Sequence, residues 1–338
     1  MRRNGWGRRF VAAAALGYAA AAVARRWRRD DLRGEVAVIV GGSRGLGLML
    51  ARELARVGCR LVIAARDEQQ LRWARHDLQE RGAEVLAWRC DAGSRAEIDE
   101  LIAAAHGRFG RIDILVNVAG LIHVGPAASM TVDNFRDALA VNFWGPLHAM
   151  DAVIPEMRAR RHGRIVNITS IGGALPVPHL LPYVSAKAAA LALSEGLGAE
   201  LEKDGVTVTT VVPGLMRTGS FPHAFFKGSA AANELRWFRL LSTSPITAMS
   251  AHRAARRIVA AVARGERHVV LTVSAHVGRL ASAFFPTLVR RLFALGDRLL
   301  STGERNDGKG EQSGQRLIAA ARAGRRHPRP PTADPGRP

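Results

Sequence analysis

Cysteine is nearly absent from this 338-residue chain, which has only Cys59 and Cys90. Both stand in apolar, strand-like runs, so packed, reduced thiols are expected rather than a disulfide framework. Neither has the partner spacing of a zinc site. Acidic residues are also scarce, 29 against 49 Lys+Arg, which leaves a formal charge of +20. Such an excess first suggests nucleic acid, but no zinc-finger spacing or RNP-like aromatic run accompanies it. The excess gathers at the ends. Residues 1–34 hold nine arginines against two aspartates, and residues 301–338 hold eight basic against four acidic residues. It therefore marks terminal extensions rather than a duplex-binding face, and no nucleic-acid partner is expected. No repeat of solenoid length occurs.

An uninterrupted bilayer-length apolar run is missing too. The stretch Phe10–Ala24 has fifteen residues, about 22 Å as a helix against a hydrocarbon core of about 30 Å. Trp6 and Trp27 bracket it, 21 residues apart, with arginines on both sides. Snorkelling arginines and interfacial tryptophans would let residues 1–34 serve as a membrane anchor. Ala22-Val23-Ala24 also fits a cleavable signal or transit segment, and a soluble Ala-rich helix is the third reading.

What the chain does have is a regular alternation from Glu35 onward. EVAVIV (35–40), CRLVIAAR (59–66), EVLAWRCD (84–91), RIDILVNVAG (111–120), GRIVNITS (163–170), VTVTTVVPG (206–214) and HVVLTV (268–273) read as strands. Helical spacing of apolar residues fills the intervals, including a helix from Tyr183 to about Glu202. Nearly all-apolar strands in β–α units predict a parallel sheet covered by helices on both faces. The fold class is thus α/β, doubly wound, with one domain over 35–274. Residues 215–250 look loop-like and short-helical, and carry Phe221, Phe225, Phe226, Trp237 and Phe238. Residues 275–300 are apolar and basic, interrupted by Pro286; they suit a membrane-contacting amphipathic segment or a dimer-packing helix pair. Gly, Pro and charge dominate 301–338, where a disordered basic tail is expected.

Three motifs carry chemistry. Gly41-Gly42-Ser43-Arg44-Gly45-Leu46-Gly47 joins the first strand to a helix. Glycines there let the backbone approach a pyrophosphate, which the N–H groups and dipole of the helix N-terminus attract. The second strand ends Ala64-Ala65-Arg66, with no acid before Asp67. Arg66, helped by Arg44, suits a ribose 2′-phosphate, so NADP(H) is expected, with NAD the lesser alternative through Asp67. Tyr183 and Lys187 stand four apart on one helix face. A free phenol titrates near 10, and a neighbouring ammonium lowers that value, which suits acid–base work at neutral pH. Ser170 ends a strand 13 residues earlier, and parallel strand ends converge on a ligand crevice.

Together these elements resemble the short-chain dehydrogenase/reductase family over about Glu35 to Val273. GGSRGLG is similar to its TGxxxGxG loop, with Gly41 standing for the threonine. NVAG (Asn117, Val118, Ala119, Gly120) is similar to its NNAG element, with Val118 for an asparagine. Asp91 matches the acid beside the adenine. Pro213, Gly214 and Thr218 match the PGxxxT segment at the nicotinamide carboxamide. Asn142, Ser170, Tyr183 and Lys187 match the catalytic tetrad. The resemblance implies a Rossmann-type fold and hydride transfer between nicotinamide and a carbonyl or secondary alcohol. Tyr183 would donate the proton and Ser170 would stabilise the oxygen. Lys187 would bind the nicotinamide ribose and lower the Tyr183 pKa. Asn142 would hold a water linking Lys187 to solvent.

The apolar lid and the N-terminal segment favour a hydrophobic steroid, retinoid or long-chain acyl substrate. A soluble 3-oxoacyl-thioester reductase is the runner-up, and a non-catalytic cofactor-binding scaffold the alternative of another class. His179, Phe221 and Phe225 are candidate substrate contacts. His106, His123, His148 and His162 show no ligand-like grouping, so no metal is expected. A homodimer or homotetramer is the family expectation. A membrane-associated enzyme facing a reducing, cytoplasmic compartment is expected, with a soluble cytoplasmic one as alternative.

Overall fold

The computed structural model describes residues 30–217, 221–228, 231–243, 248–300 and 311–319. The expected N-terminal anchor lies almost wholly outside them. Among the described residues no helix is long and apolar enough to cross a membrane.

Beside a short separate pair, β8 (Met216–Arg217) with β10 (Met249–Ser250), the main sheet strands in chain order are β1 (Val36–Val40), β2 (Arg60–Ala65), β3 (Val85–Arg89), β4 (Ile114–Asn117), β6 (Gly163–Ile168), β7 (Val206–Val212) and β11 (His268–Val270). They form one seven-stranded parallel sheet in the order β11-β7-β6-β4-β1-β2-β3. Both faces are covered, as the all-apolar strands require. Along β1 the side chains alternate between two cores. Ala37 and Ile39 join Leu46, Leu50 and Leu54 of α1 (Gly45–Arg56) and Ile258 and Val262 of α8 (Ala251–Ala263). Val36, Val38 and Val40 join Ile98 and Leu101 of α3 (Arg95–Phe109) and Val153 and Met157 of α5 (Gly145–Ala159). Each large aliphatic side chain so buried contributes roughly 1.5–3 kcal/mol. The remaining helices are α2 (Glu68–Glu80), α4 (Val132–Leu139), α6 (Leu181–Leu201), α7 (Ala231–Thr243), α9 (Val273–Phe284) and α10 (Pro286–Leu300). Both cysteines are free and buried, as expected. Burial and nearby carboxylates push the Cys59 thiol up to about 12.

Two boundaries depart from expectation. The strand 268–273 stops at Val270, because Thr272 accepts a hydrogen bond from Ala275 N and caps α9. The tail expected to be disordered contains a placed segment. Gln312–Ser313 (β12) pairs antiparallel with β9 (Phe225–Phe226), which pairs in turn with β5 (His123–Val124). A helical turn over 314–319 follows, and its Leu317 and Ile318 pack on Val124, Ala224, Phe226 and Leu235. Two apolar residues in a polar tail were too weak a pattern to reveal this docking.

Candidate active site

Strands β1 and β4 are neighbours across the point where strand order reverses, so their C-terminal ends open the crevice of a doubly wound sheet. The loop after β1 has the backbone of a cradle. Gly41 has φ +99°, and a Cβ there would lie 2.5 Å from Ala119 N. A Cβ on Gly47 would collide with the Gly41 carbonyl. Gly41 is therefore a required glycine and not a replaced threonine. The threonine position falls on Val40, one residue earlier, and its side chain packs in the core. Val118 likewise packs beside Gly47 and against the α1 core. No side chain caps α1, and no acid stands in its first turn. By contrast Asp67 caps α2, Ser94 caps α3 and Thr272 caps α9. The free N–H groups of α1 thus face the crevice as an anion site.

A cleft of about 480 Å³ continues from there, lined by Arg66, Asp91, Gly93, Ser94, Leu121, Val141, His123, Phe225 and Glu311 among others. Arg66 Nη1 lies 3.9 Å from Asp91 Oδ2, while Asp91 Oδ1 accepts from Gly93 N at 2.9 Å. Burial and the Arg66 charge lower the Arg44 pKa. Asp67 is engaged elsewhere, since its Oδ1 accepts from Gln70 N. The donor set fits a dinucleotide: a glycine cradle, an uncapped helix, and the cations Arg44 and Arg66.

The tetrad candidates lie at adjoining element ends. Ser170 follows β6, and its Oγ accepts from Gly172 N at 3.0 Å. Pro182 at the start of α6 opens the helix one residue before Tyr183. Tyr183 is half-buried and hydrogen-bonded to Ser170; burial outweighs that bond and raises its pKa. Lys187 Nζ donates to Ile168 O at 2.8 Å and sits 5.9 Å from the Tyr183 ring centroid. Burial pulls its pKa down to about 8. The lowered tyrosine pKa expected from the Tyr–Lys spacing is therefore not what the protein alone produces. Desolvation acts on both groups, and the ammonium is directed at a carbonyl.

Asn142 lies on a π-helical turn, Ala140–Trp144, between α4 and α5. Its Nδ2 donates to Leu121 O and Ala138 O, both at 2.9 Å, and its Oδ1 accepts from Leu121 N. The side chain thereby fixes the segment after Gly120, while its Oδ1 keeps acceptor capacity for a water. A cavity of about 10 Å³ beside it is lined by Asn117, Asn142, Asn167 and Thr169. That is near the smallest volume that admits one water. Asn117 Nδ2 donates to Asn167 Oδ1, while the buried Asn117 Oδ1 has no partner among the described residues.

Pro213 O accepts from Ile171 N at 2.8 Å, which joins the end of β7 to the Ser170 turn. A Cβ on Gly214 would strike Thr272 Oγ1. Thr218 lies outside the described residues, and Phe221 is described only as backbone in the turn Phe221–His223. Phe225 lines the cleft on the Arg66–Asp91 side and stacks on His123, centroids 5.7 Å apart.

His179 is not an exposed loop imidazole. It is buried at φ +64°, with Nδ1 bonded to Glu234 of α7 and Nε2 to Asp297 of α10 at 2.7 Å. Both ring nitrogens are committed, which leaves none for a substrate hydrogen bond. The two carboxylates, Glu234 foremost, raise its pKa. A second cluster also escaped the sequence reading. His123 Nδ1 meets Glu311 Oε2 at 3.2 Å, Asn134 Nδ2 donates to the same oxygen at 3.1 Å, and Lys227 Nζ donates to Asn134 Oδ1. These partners are far apart in sequence, and no spacing rule joins them. Among the described residues no group of His, Cys, Asp and Glu could hold a metal ion.

Similar proteins place this geometry. The short chain dehydrogenase model matches residues 35–225. The 11-beta-hydroxysteroid dehydrogenase A of Sesamum indicum is 31% identical over 269 residues, 79% of this chain and 76% of the relative. The fatty acyl-CoA reductase of Acinetobacter baylyi is 28% identical over 302 residues, 87% of this chain and 94% of the relative. The crystal structure of an actinorhodin polyketide ketoreductase variant with NADPH superposes with a TM-score of 0.64 at 29% identity, covering 72% of this chain and 97% of that one. The parallel sheet, the cradle and these matches agree, and the chain belongs to the short chain dehydrogenase family of nicotinamide-dependent oxidoreductases.

Proposed function

We propose that the protein is an NADP(H)-dependent oxidoreductase that interconverts a hydrophobic ketone and its secondary alcohol. The observation that carries this reading is the meeting of Ser170, Tyr183 and Lys187 beside an uncapped helix and the cations Arg44 and Arg66. A bound nicotinamide dinucleotide would supply or accept the hydride. Gly41, Ser43, Gly45, Leu46 and Gly47 would hold its pyrophosphate. Arg44 and Arg66 would hold the 2′-phosphate, and Asp91, Asn117, Ala119 and Gly120 would line the adenosine side. Pro213, Gly214 and Thr218 would hold the carboxamide.

Toward reduction, the Tyr183 hydroxyl gives its proton to the substrate oxygen. At neutral pH the phenol is protonated, as an ordinary tyrosine is, which is the state an acid requires, and burial holds it there. The Ser170 hydroxyl donates to the same oxygen and stabilises the growing negative charge. Lys187, titrating at about 8, is largely cationic at pH 7. It would hold the nicotinamide ribose. Asn142 acts through backbone, fixing the segment after Gly120.

Tyr183→Phe tests the assignment. Turnover should fall by roughly 10²–10⁴-fold, while NADPH binding, followed by fluorescence, stays within a few-fold. Retained turnover overturns it. Replacing Arg44 and Arg66 together by alanine should raise KM for NADPH about tenfold or more and leave NADH use nearly unchanged, since charge-assisted bonds contribute about 1.5–3 kcal/mol. Likeness to a polyketide ketoreductase supports a second reading, reduction of a carrier-bound 3-oxoacyl thioester. A panel of steroid, retinoid and acyl ketones separates the two.

A further inference from the structure

Two helices beyond the last sheet strand turn their apolar faces to solvent. On α9, Val273, Val277, Leu280 and Phe284 are each at least 59% exposed. Spacings of four, three and four residues put them on one face. On α10, Leu288, Leu292 and Leu295 repeat that spacing at 55–59% exposure, and Phe285 stands at the corner between the helices, 62% exposed. The helices are nonetheless seated. Thr272 caps α9, a Cβ on Gly278 would lie 2.7 Å from Leu175, and Asp297 of α10 bonds His179. Of the fourteen exposed large apolar side chains among the described residues, eight lie on this pair of helices. Scattered surface leucines need no explanation, but a contiguous apolar stripe does.

Charge selects the occupant. The pair carries Arg279, Arg290, Arg291 and Arg298, all exposed, and one acid, Asp297, which is committed to His179. Helical periodicity places Arg291 and Arg298 along the edge of the Leu288–Leu295 stripe. A second copy docked face to face would set arginines against arginines. Lipid phosphates would meet them with opposite charge while acyl chains cover the stripe. We propose that the α9–α10 face lies in the interfacial plane of an anionic bilayer. Phe284 and Phe285 enter the acyl boundary, and the arginines sit at headgroup level. The face adjoins the site, because α9 contacts Leu175 in the segment after Ser170 and α10 holds His179 in the segment before Tyr183. This deepens the proposed function, on which it rests only for the identity of the substrate delivered: an apolar ketone would enter from the lipid. Residue 30 enters beside Ala263, at the end of α8 and at the opposite strand edge. Insertion by residues 1–29 and docking by α9–α10 are therefore separable events.

Full-length Phe284→Cys and Leu292→Cys, each labelled with an environment-sensitive fluorophore, test the proposal, with Trp73→Cys as reference. Trp73 is 65% exposed on a remote helix, and the buried Cys59 and Cys90 leave little background. With phosphatidylglycerol vesicles the labels at 284 and 292 should shift to the blue and be quenched several-fold by nitroxide lipids. Phosphatidylcholine should do so less, and the label at 73 should not respond. Arg291→Glu with Arg298→Glu should weaken the response. Protein that stays off the vesicles overturns the proposal, as does bound protein whose labels at 284 and 292 remain unquenched. A lipid-independent blue shift overturns it too. One that grows with protein concentration indicates a second copy, and one that does not indicates cover by the chain's own N-terminal segment. Reduction of a water-soluble ketone, measured on the same samples, reports the reaction separately. It persists if only docking fails and is absent if the proposed function fails.

Discussion

The two walls around the candidate site are held by different forces. The side formed by the β1 loop, the ends of β4 and β6, and the start of α6 hangs on the parallel ladder and on backbone contacts such as Ala119 N to Val40 O at 2.8 Å. The side formed by α7, α10 and the segment 311–319 is tied by side-chain contacts between distant residues, together with the β12–β9 pairing and the packing of Leu317 and Ile318. His179 meets partners 55 and 118 residues away, and His123 meets one 188 residues away. A ladder does not titrate, whereas the His179 contact does. One wall is therefore the more rigid and the other the more yielding, which suits a site that must admit a cofactor and a substrate in turn.

The largest effect should come from the fixed wall. Gly47→Val puts side-chain atoms where the Gly41 carbonyl stands, so the cradle must open or the helix must shift. Stability should fall by about 3 kcal/mol or more, and NADPH binding should be lost. Thermal melting and NADPH fluorescence measure both. A variant with normal melting and normal binding would break the claim that this wall is fixed.

On the yielding wall His179→Ala should be milder in activity but clear in stability. It strands Glu234, a buried carboxylate, at a cost of about 3 kcal/mol. Because α7 and α10 lose a shared tether, KM for an apolar ketone should rise about tenfold while kcat changes little. Equal loss in both would mean that His179 acts on the reacting atoms instead. The clamp also predicts a pH dependence. The folded pKa of His179 is raised, so its contribution is fully present below the unfolded value of about 6.5 and disappears as pH climbs through the folded value. The stability gap between the wild type and His179→Gln should therefore narrow as pH rises, and the protection of the α7 amides, taken relative to the intrinsic base-catalysed rate, should fall more in the wild type than in the variant. A gap that widens with pH would reverse the assignment of charge on His179.

The same division explains what could be read from the sequence. The seven strands of the main sheet, the glycine cradle and the Ser170–Tyr183–Lys187 set are written in local patterns: apolar runs, a strand–glycine–helix junction and a four-residue spacing. Their positions follow from chain order and sheet closure. His179 carried no such pattern, since its role depends on Glu234 and Asp297 arriving from other helices. The Tyr183 pKa was misjudged for a similar reason. Spacing brings Lys187 near, but only the fold shows that Ile168 O takes its ammonium and that burial outweighs the Ser170 bond. Gly41 shows that a motif can be placed one residue off until the backbone angle fixes it.

The smallest expected effect lies where the yielding wall meets the cofactor cleft. Glu311 is the acceptor for His123 and Asn134, lies 3.8 Å from Lys227 and lines the same cleft as Arg66 and Asp91. It also leads directly into β12, whose only sheet partner among the described residues is β9. Glu311→Gln keeps the shape and most acceptor capacity but removes the charge that Lys227 faces, a partly exposed pair contributing about 1 kcal/mol at most. Global melting should hardly move. What should change is the grip of 311–319 on β9, and with it the dissociation rate of NADPH, faster by about two- to fivefold as the cleft loses one wall part of the time. Stopped-flow displacement of bound NADPH measures this rate. An unchanged rate would place the segment outside the moving wall and leave the His179 clamp as its tether.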